Sequence, residues 1–525
     1  MISQISERKI SVIRWGMVLG WAFIATMLLN DALSLNQSAN EIITIESSVL
    51  FQGQPINIEP FSLFNKIFWT IIIPLIPVSL LLFGHSTWRR ICPLSAIMQI
   101  PRKLNIQFSK KIISKDGEIT RSKLEVNKNS WLAKNYWYLQ FFILFSAVTG
   151  RILFYNADPI GLLVIFSTLI ISALIMGYLF SGKTWCHYIC PMGPVQKFYS
   201  GTSGLLEQKA HFSNSNITQS MCRTSDNKSN CVACKTDCPD IDLEKNYWSE
   251  ITENGRKFFY FGFPGLVIGF YLYYFLYSGN WEYVFTGQPV KDINQIQSLL
   301  NPGLFINNQI IKIPKIIAAP GVIALCILLT NIIGRTLQNH YQNLRLKAGS
   351  PLSEKEYLHA AFNISVFITF NVFYIFSGRS NLNSLPFYLT YIIDFSLIAF
   401  STIWLVKSFK RTAQEYKIES VGNTLRNNIK RSPINWNEVL ENRSVVDLSH
   451  HEIYALARIM PKISKSESST IYKEALSDAF YRGDLKTEQG LMIIDDLKTK
   501  LHISQKQHEA FLNDLISNNI TTHNI

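Results

Sequence analysis

Charge is scarce in this sequence. Only 17% of its 525 residues are Asp, Glu, Lys or Arg, where a soluble chain carries roughly 25%. With 48% hydrophobic residues, that scarcity excludes a disordered chain or a nucleic-acid tail. What charge exists is lopsided, with a net +13. Lys and Arg are absent from Asp31 to Asn65 and from Asn156 to Pro159. No small-residue cleavage site follows Leu29, so the apolar N-terminal segment reads as a retained span and not a signal peptide.

What is present is a series of long apolar runs. Eight reach the roughly 20 residues needed to cross a bilayer: Ile10–Leu29, Ile67–Gly84, Tyr136–Tyr155, Ile160–Phe180, Phe258–Tyr277, Ile316–Ile333, His359–Phe376 and Phe387–Val406. The loops between them alternate in charge. His85–Asn135 holds eleven Lys/Arg against three acids, Ser181–Lys257 holds nine Lys/Arg, and Arg335–Leu358 holds four. The positive-inside rule puts these loops and both termini in the cytoplasm of a cell whose inner membrane the chain spans. The basic loop lacks an aromatic stacking platform, so it reads as an orienting and lipid-facing segment and not as a nucleic-acid site.

Eight cysteines occur. Cys326 lies inside the sixth span and reads as a small packing residue. The other seven fall in loops assigned to the cytoplasm, where disulfides are disfavoured and metal ligation is favoured. Cys231-Val-Ala-Cys234-Lys-Thr-Asp-Cys238-Pro239 is the last three-cysteine part of a ferredoxin-type run. Its first cysteine is missing at Lys228, and Cys222 is the substitute. Four thiolates at this spacing suit a [4Fe-4S] cluster, with a structural zinc site as the alternative.

A second motif, Thr184-Trp-Cys186-His-Tyr-Ile-Cys190-Pro191-Met-Gly-Pro-Val-Gln196, follows the fourth span. It is echoed after the second span by Thr87-Trp-Arg-Arg-Ile-Cys92-Pro93-Leu-Ser-Ala-Ile-Met-Gln99. The echo marks an internal duplication of a span-pair-plus-cysteine unit. A site on Cys92, Cys186 and Cys190 would need a non-cysteine ligand, for which His187 and His85 are nearby.

These residues resemble the NapH/NosR/CcoG class of polyferredoxin-like membrane proteins over roughly Ile67 to Pro239. The resemblance implies an all-α polytopic membrane protein with a cytoplasmic ferredoxin-like cysteine loop. It implies cluster ligands at Cys222, Cys231, Cys234 and Cys238, and makes Cys186 and Cys190 the family's C-x3-C-P pair, with Cys92 their echo. One [4Fe-4S] cluster is expected, with room for a second. The expected activity is electron transfer between a cytoplasmic donor or the quinone pool and a membrane or periplasmic partner, by a carrier or complex subunit without a substrate pocket of its own. The competing readings are a metal-handling or assembly factor binding zinc or copper, and a transporter using Asp394 in the eighth span.

The expected organisation is 1–84 with two spans, 85–135 basic loop, 136–180 two spans, 181–257 cysteine region, 258–406 four spans, 407–446 linker, and 447–525 a small all-helical cytoplasmic domain. The last carries capping boxes at Ser449–Glu452 and Ser504–Gln507 and reads as an interaction module. Asp484–Glu488 lacks the ligand pattern of a calcium loop.

Overall fold

The computed structural model describes residues 7–34, 48–57, 63–113, 119–155, 158–207, 235, 238–286, 295–349, 352–378, 382, 385–431, 448, 452–453, 465–482, 485, 488–501 and 503–523. Cys222, Cys231 and Cys234 lie outside them, as do Ser449 and Asp484. The chain divides into two compact units, Met1–Gln208 with Asn216–Lys410, and Lys209–Ser215 with Arg411–Ile525.

Among its described residues the larger unit holds eight helices long and apolar enough to cross a membrane. They are α1 (Glu7–Ser34), α2 (Ile73–Ile91), α3 (Trp131–Gly150), α4 (Pro159–Leu179), α5 (Asn254–Ser278), α6 (Lys315–Lys347), α7 (Glu354–Phe376) and α8 (Phe387–Phe409). Polar residues set their ends. Ser130 accepts from the Ala133 amide to open α3, and Asp158 accepts from Ile160 and Gly161 to open α4 behind Pro159. Ser353 and Glu356 form a capping box at α7. Gly279, at φ 74°, stops α5 in the left-handed conformation.

Helix α5 is the most buried of the eight and packs on α3, α6 and α7. Small residues let α5 and α6 approach: a Cβ on Gly265 would stand 2.4 Å from the Cys326 carbonyl oxygen, and one on Gly269 3.1 Å from the Cys326 Cβ. Cys326 is therefore a packing residue of that interface. Arg151 lies 3.8 Å from the Trp69 ring centroid and 4.9 Å from that of Phe270. Both contacts stand at π-helical turns, Phe68–Ile72 and Arg151–Tyr155, for Trp69 and Arg151.

The expectation of an all-helical chain needs one correction. Among the described residues, three two-stranded antiparallel hairpins join the helices: β1–β2 (Ser48–Phe51, Gln54–Asn57), β3–β4 (Lys110–Ile113, Ile119–Ser122) and β5–β6 (Pro302–Ile306, Gln309–Pro314). Gln52 and Gly53 turn the first at φ 49° and 78°, and Asn307 and Asn308 turn the last at φ 51° and 59°. Two successive positive φ angles are the two-residue turn that matches strand twist.

The smaller unit contains α9 (Ala413–Arg431), α10 (Lys465–Arg482), α11 (Glu488–Lys500) and α12 (Gln505–His523). Leu448, Ile453, Tyr472, Leu476, Ile494, Leu497 and Leu515 are among the residues of its core. Ser504 and Gln507 exchange the bonds of a capping box. The stretch 407–446, expected as a linker, contains all of α9 and the last turn of α8. Tyr416, Ser420 and Arg426 are among its buried positions, and Ile418, Val421, Leu425 and Ile429 stand at helical spacing in its sequence.

Candidate iron–sulfur site

Both copies of the duplicated unit deliver their cysteine to one place. Helix α2 is broken at Gly84, whose φ of 69° and ψ of −177° no β-carbon-bearing residue adopts easily. Glu207 fills the space a Cβ would need and accepts from the Ser86 and Gly204 amides, each at 2.8 Å. The chain restarts as helix to Ile91. Cys92 then turns it (φ −55°, ψ 120°) into the short helix Pro93–Met98. In the second copy α4 ends at Leu179, the turn Thr184–Tyr188 carries Cys186 and His187, and Cys190 precedes the helix Met192–Ser200.

The two copies pack through Leu94, Met98, Ala173, Trp185 and Cys190, with Cys92 and Cys186 against them. Gly177 on α4 permits this, because a Cβ there would stand 1.9 Å from the Met98 carbonyl oxygen. Cys186 Sγ is 3.9 Å from Met98 Sδ. Cys190 is buried, Cys92 and Cys186 are half-buried, and all are free thiols. Burial pushes the Cys186 thiol up to about 12, with Cys92 adding to the rise. Burial, Cys186 and Cys92 together push Cys190 well above the usual thiol range. Burial thus holds Cys186 and Cys190 in their protonated form, and a bound cation has to displace those protons.

Cys238, the proline-preceding cysteine of the ferredoxin-type run, reaches the same region. Its Sγ is 3.7 Å from His187 Nε2. Asp240, two residues on, is buried and clamped by both copies: Oδ2 meets Lys183 Nζ at 2.7 Å, and Oδ1 meets His85 Nε2 at 3.3 Å. Burial pushes the Asp240 carboxyl up, but Lys183, His85 and His187 outweigh it and hold the group well below the usual range. Burial lowers His187 to about 3, so its imidazole is neutral at pH 7.

A second buried network holds the run from the other side. Lys235 Nζ is 3.0 Å from Glu250 Oε1 and 3.6 Å from the Tyr136 ring centroid. Lys197 Nζ and an Arg256 guanidinium nitrogen approach Glu250 Oε2 at 3.5 and 3.9 Å. Asn246 donates to Oε1 at 2.6 Å. Sequence reasoning singled out the cysteines and missed Lys183, Asp240, Lys235 and Glu250. Their signal was weak: an acid directly after Cys-Pro, and lysines inside the cysteine motifs.

Residues 162–212 match the family model of a 4Fe-4S binding domain. The chain carries an iron–sulfur cofactor. No curated protein and no solved structure matches it. The matched segment contains Cys186 and Cys190, and the residues there fit a [4Fe-4S] cluster: soft thiol donors, unbridged, Cys190 buried and Cys186 half-buried. Bound there, the cluster supplies one-electron chemistry. The chain itself positions the thiols, offers His187 Nε2 to the Cys238 sulfur, and places a buried ammonium, Lys183, beside the site.

His85 and His359 are both engaged by other groups. His359 Nδ1 meets the Tyr247 hydroxyl at 2.9 Å, and its Nε2 lies 2.9 Å from the Ser408 carbonyl oxygen. Asn363 Nδ2 lies 3.0 Å from the same His359 nitrogen, and Asn371 donates to Ser401 at 3.1 Å.

Proposed function

We propose that this protein is an inner-membrane electron carrier whose [4Fe-4S] cluster faces the cytoplasm. It passes electrons between a cytoplasmic donor or the quinone pool and a membrane or periplasmic partner. The observation that carries the reading is the packing of Cys92 with Cys186 and Cys190 at the ends of α2 and α4, with Cys238 beside His187, where the 4Fe-4S domain match covers Cys186 and Cys190. The cytoplasmic placement rests on the basic loops that border those ends, and both termini share that side.

Helix α3 alone is 20 residues long, about 30 Å, the thickness of the hydrocarbon core. A carrier whose cluster lies at one end of that span needs a second carrier, a quinone or a partner protein, to bring electrons across. The C-terminal helical unit is a candidate docking module for a partner.

One observation favours a second reading. His187, Cys238 and Asp240 offer donor atoms within 4.8 Å of one another, which suits a single metal ion. Lys183 stands against it, since an ammonium 2.7 Å from Asp240 Oδ2 occupies the place such an ion would take. Anaerobic purification with iron, acid-labile sulfide and zinc analysis separates the two. Iron with equimolar sulfide, and an EPR signal on reduction, is expected. One zinc per chain without sulfide would reject the electron-transfer reading.

A further inference from the structure

The thiols divide in space differently from the way they divide in sequence. By sequence Cys238 belongs with Cys222, Cys231 and Cys234, and the pair of Cys-Pro motifs has three cysteines and lacks a fourth. In the structure Cys238 stands beside His187, which lies between Cys186 and Cys190 in the second motif. Resting on the iron–sulfur reading above, we propose that Cys92, Cys186, Cys190 and Cys238 supply the four thiolates of one [4Fe-4S] cluster. The run's last cysteine is then recruited to the duplicated unit, and Cys222, Cys231 and Cys234 are dispensable for that cluster.

Three observations support it. Cys238 Sγ lies 3.7 Å from the ring of His187, the residue between Cys186 and Cys190 in the second motif. The chain after Cys238 is fixed to both copies of the unit at once: Asp240 binds Lys183, three residues before Cys186, and His85, seven residues before Cys92. The chain before it is fixed too, because buried Lys235 is held by Glu250 and Tyr136. Cys238 therefore has little freedom to turn toward another set of ligands. In two-cluster ferredoxins the cysteine before proline likewise serves the cluster other than that of its own run.

The spacing also distinguishes a cluster from a single ion. Four thiolates around one zinc stand roughly 3.8 Å apart, as 2.3 Å bonds at tetrahedral angles require. Among the described residues, the one group of three donors drawn within 4.8 Å is His187, Cys238 and Asp240, and it contains a single thiol. Among the described residues no group of three donors drawn that close contains two thiols, so the cysteines are not gathered around one ion.

The test compares two variants of the full chain, purified anaerobically from membranes and assayed for iron, acid-labile sulfide and the EPR signal of the reduced protein. The triple variant Cys222→Ala/Cys231→Ala/Cys234→Ala is expected to keep about four iron and four sulfide per chain, the content of one cubane. That holds whether the wild type carries one cluster or two. Cys92→Ala and Cys238→Ala are each expected to lose those four iron atoms. Should either fail to accumulate in the membrane, the triple variant still decides. A triple variant without iron or sulfide, beside a Cys92→Ala variant of wild-type loading, would overturn the assignment and leave the electron-transfer reading intact. A wild-type chain lacking both elements would overturn the reading itself.

Discussion

Glu250→Gln removes the carboxylate that Lys197, Lys235 and Arg256 share while keeping its shape and its contact with Asn246. The side chains of all four charged residues are at most 8% exposed. Removing one partner from a buried ion pair costs about 3–5 kcal/mol, because the remaining charge stays out of water. The upper end is not expected here. Burial already lowers Lys197 to about 7, against the attraction of Glu250, so without that attraction Lys197 sheds its proton and part of the penalty with it. Arg256 also keeps the carbonyls of Asn246 and Tyr247. About 3 kcal/mol remains, and it falls mainly on Lys235, which ties the cysteine segment to α3. Local opening of that segment becomes about 10²-fold more populated. Hydrogen exchange reads this directly at the amides of Ile241 and Asp242, which donate to the Cys238 carbonyl at 3.0 and 3.1 Å. Their exchange should quicken by about two decades while α3 amides hold their rates. Adding Lys235→Met to Glu250→Gln should restore part of the protection, since both charges are then gone. Exchange at Ile241 and Asp242 within threefold of wild type would refute the anchoring argument.

Further outcomes follow from the same geometry. Lys197 ordinarily holds its proton to 10.5 but sheds it near 7 when folded. Between those values the unfolded chain binds the extra proton, so stability should rise from pH 7 to 8.5 by at most roughly 1.4 kcal/mol per unit, and Lys197→Met should flatten that slope in denaturation midpoints. Gly177→Ala drives a methyl group into the Met98 carbonyl. It should cost about 1–3 kcal/mol and lower iron content by displacing the helix after Cys92. His187→Ala removes the imidazole from the Cys238 sulfur. Loss of about 1 kcal/mol of hydrogen bonding to the reduced state would lower the midpoint potential by roughly 40 mV, measured by EPR-monitored redox titration. Cys326→Ala, at the α5–α6 interface, should leave iron and sulfide unchanged, and a loss of cluster there would contradict its packing role.

The eight spans were legible because each is a long apolar run, and a period of about 20 residues needs no tertiary knowledge. The duplication was legible in Thr-Trp and Ile-Cys-Pro. What the duplication builds was not, because it depends on contacts between distant residues. His85 meets Asp240 across 155 positions, and no local spacing encodes that. The hairpin at Asn307–Asn308 was missed for a different reason: the turn signal is two residues long, and it sits beside spans that dominate any hydropathy window. Helix α9 was missed because the polar residues around Ile418, Val421, Leu425 and Ile429 masked a helical spacing that was there to be read.

The buried network also revises how the basic residues are to be read. Nine Lys and Arg of Ser181–Lys257 were counted as loop charge. Yet Lys183, Lys197, Lys235 and Arg256 are all buried, and the acids they meet are Asp240 and Glu250. Such residues still count while the chain inserts, before it is folded, because the orienting rule acts on sequence near the span ends. After folding they carry little field into the solvent. In the other loop Lys103, Lys110, Lys123, Lys128 and Lys134 are exposed and face lipid or a partner. An acidic donor protein is accordingly expected to bind against that loop, near the thiols yet not through the lysines that hold them. Neutralising Lys123, Lys128 and Lys134 together should slow reduction of the cluster by such a donor and weaken its salt dependence, with iron content unchanged. An unchanged reduction rate at low ionic strength would place the donor elsewhere.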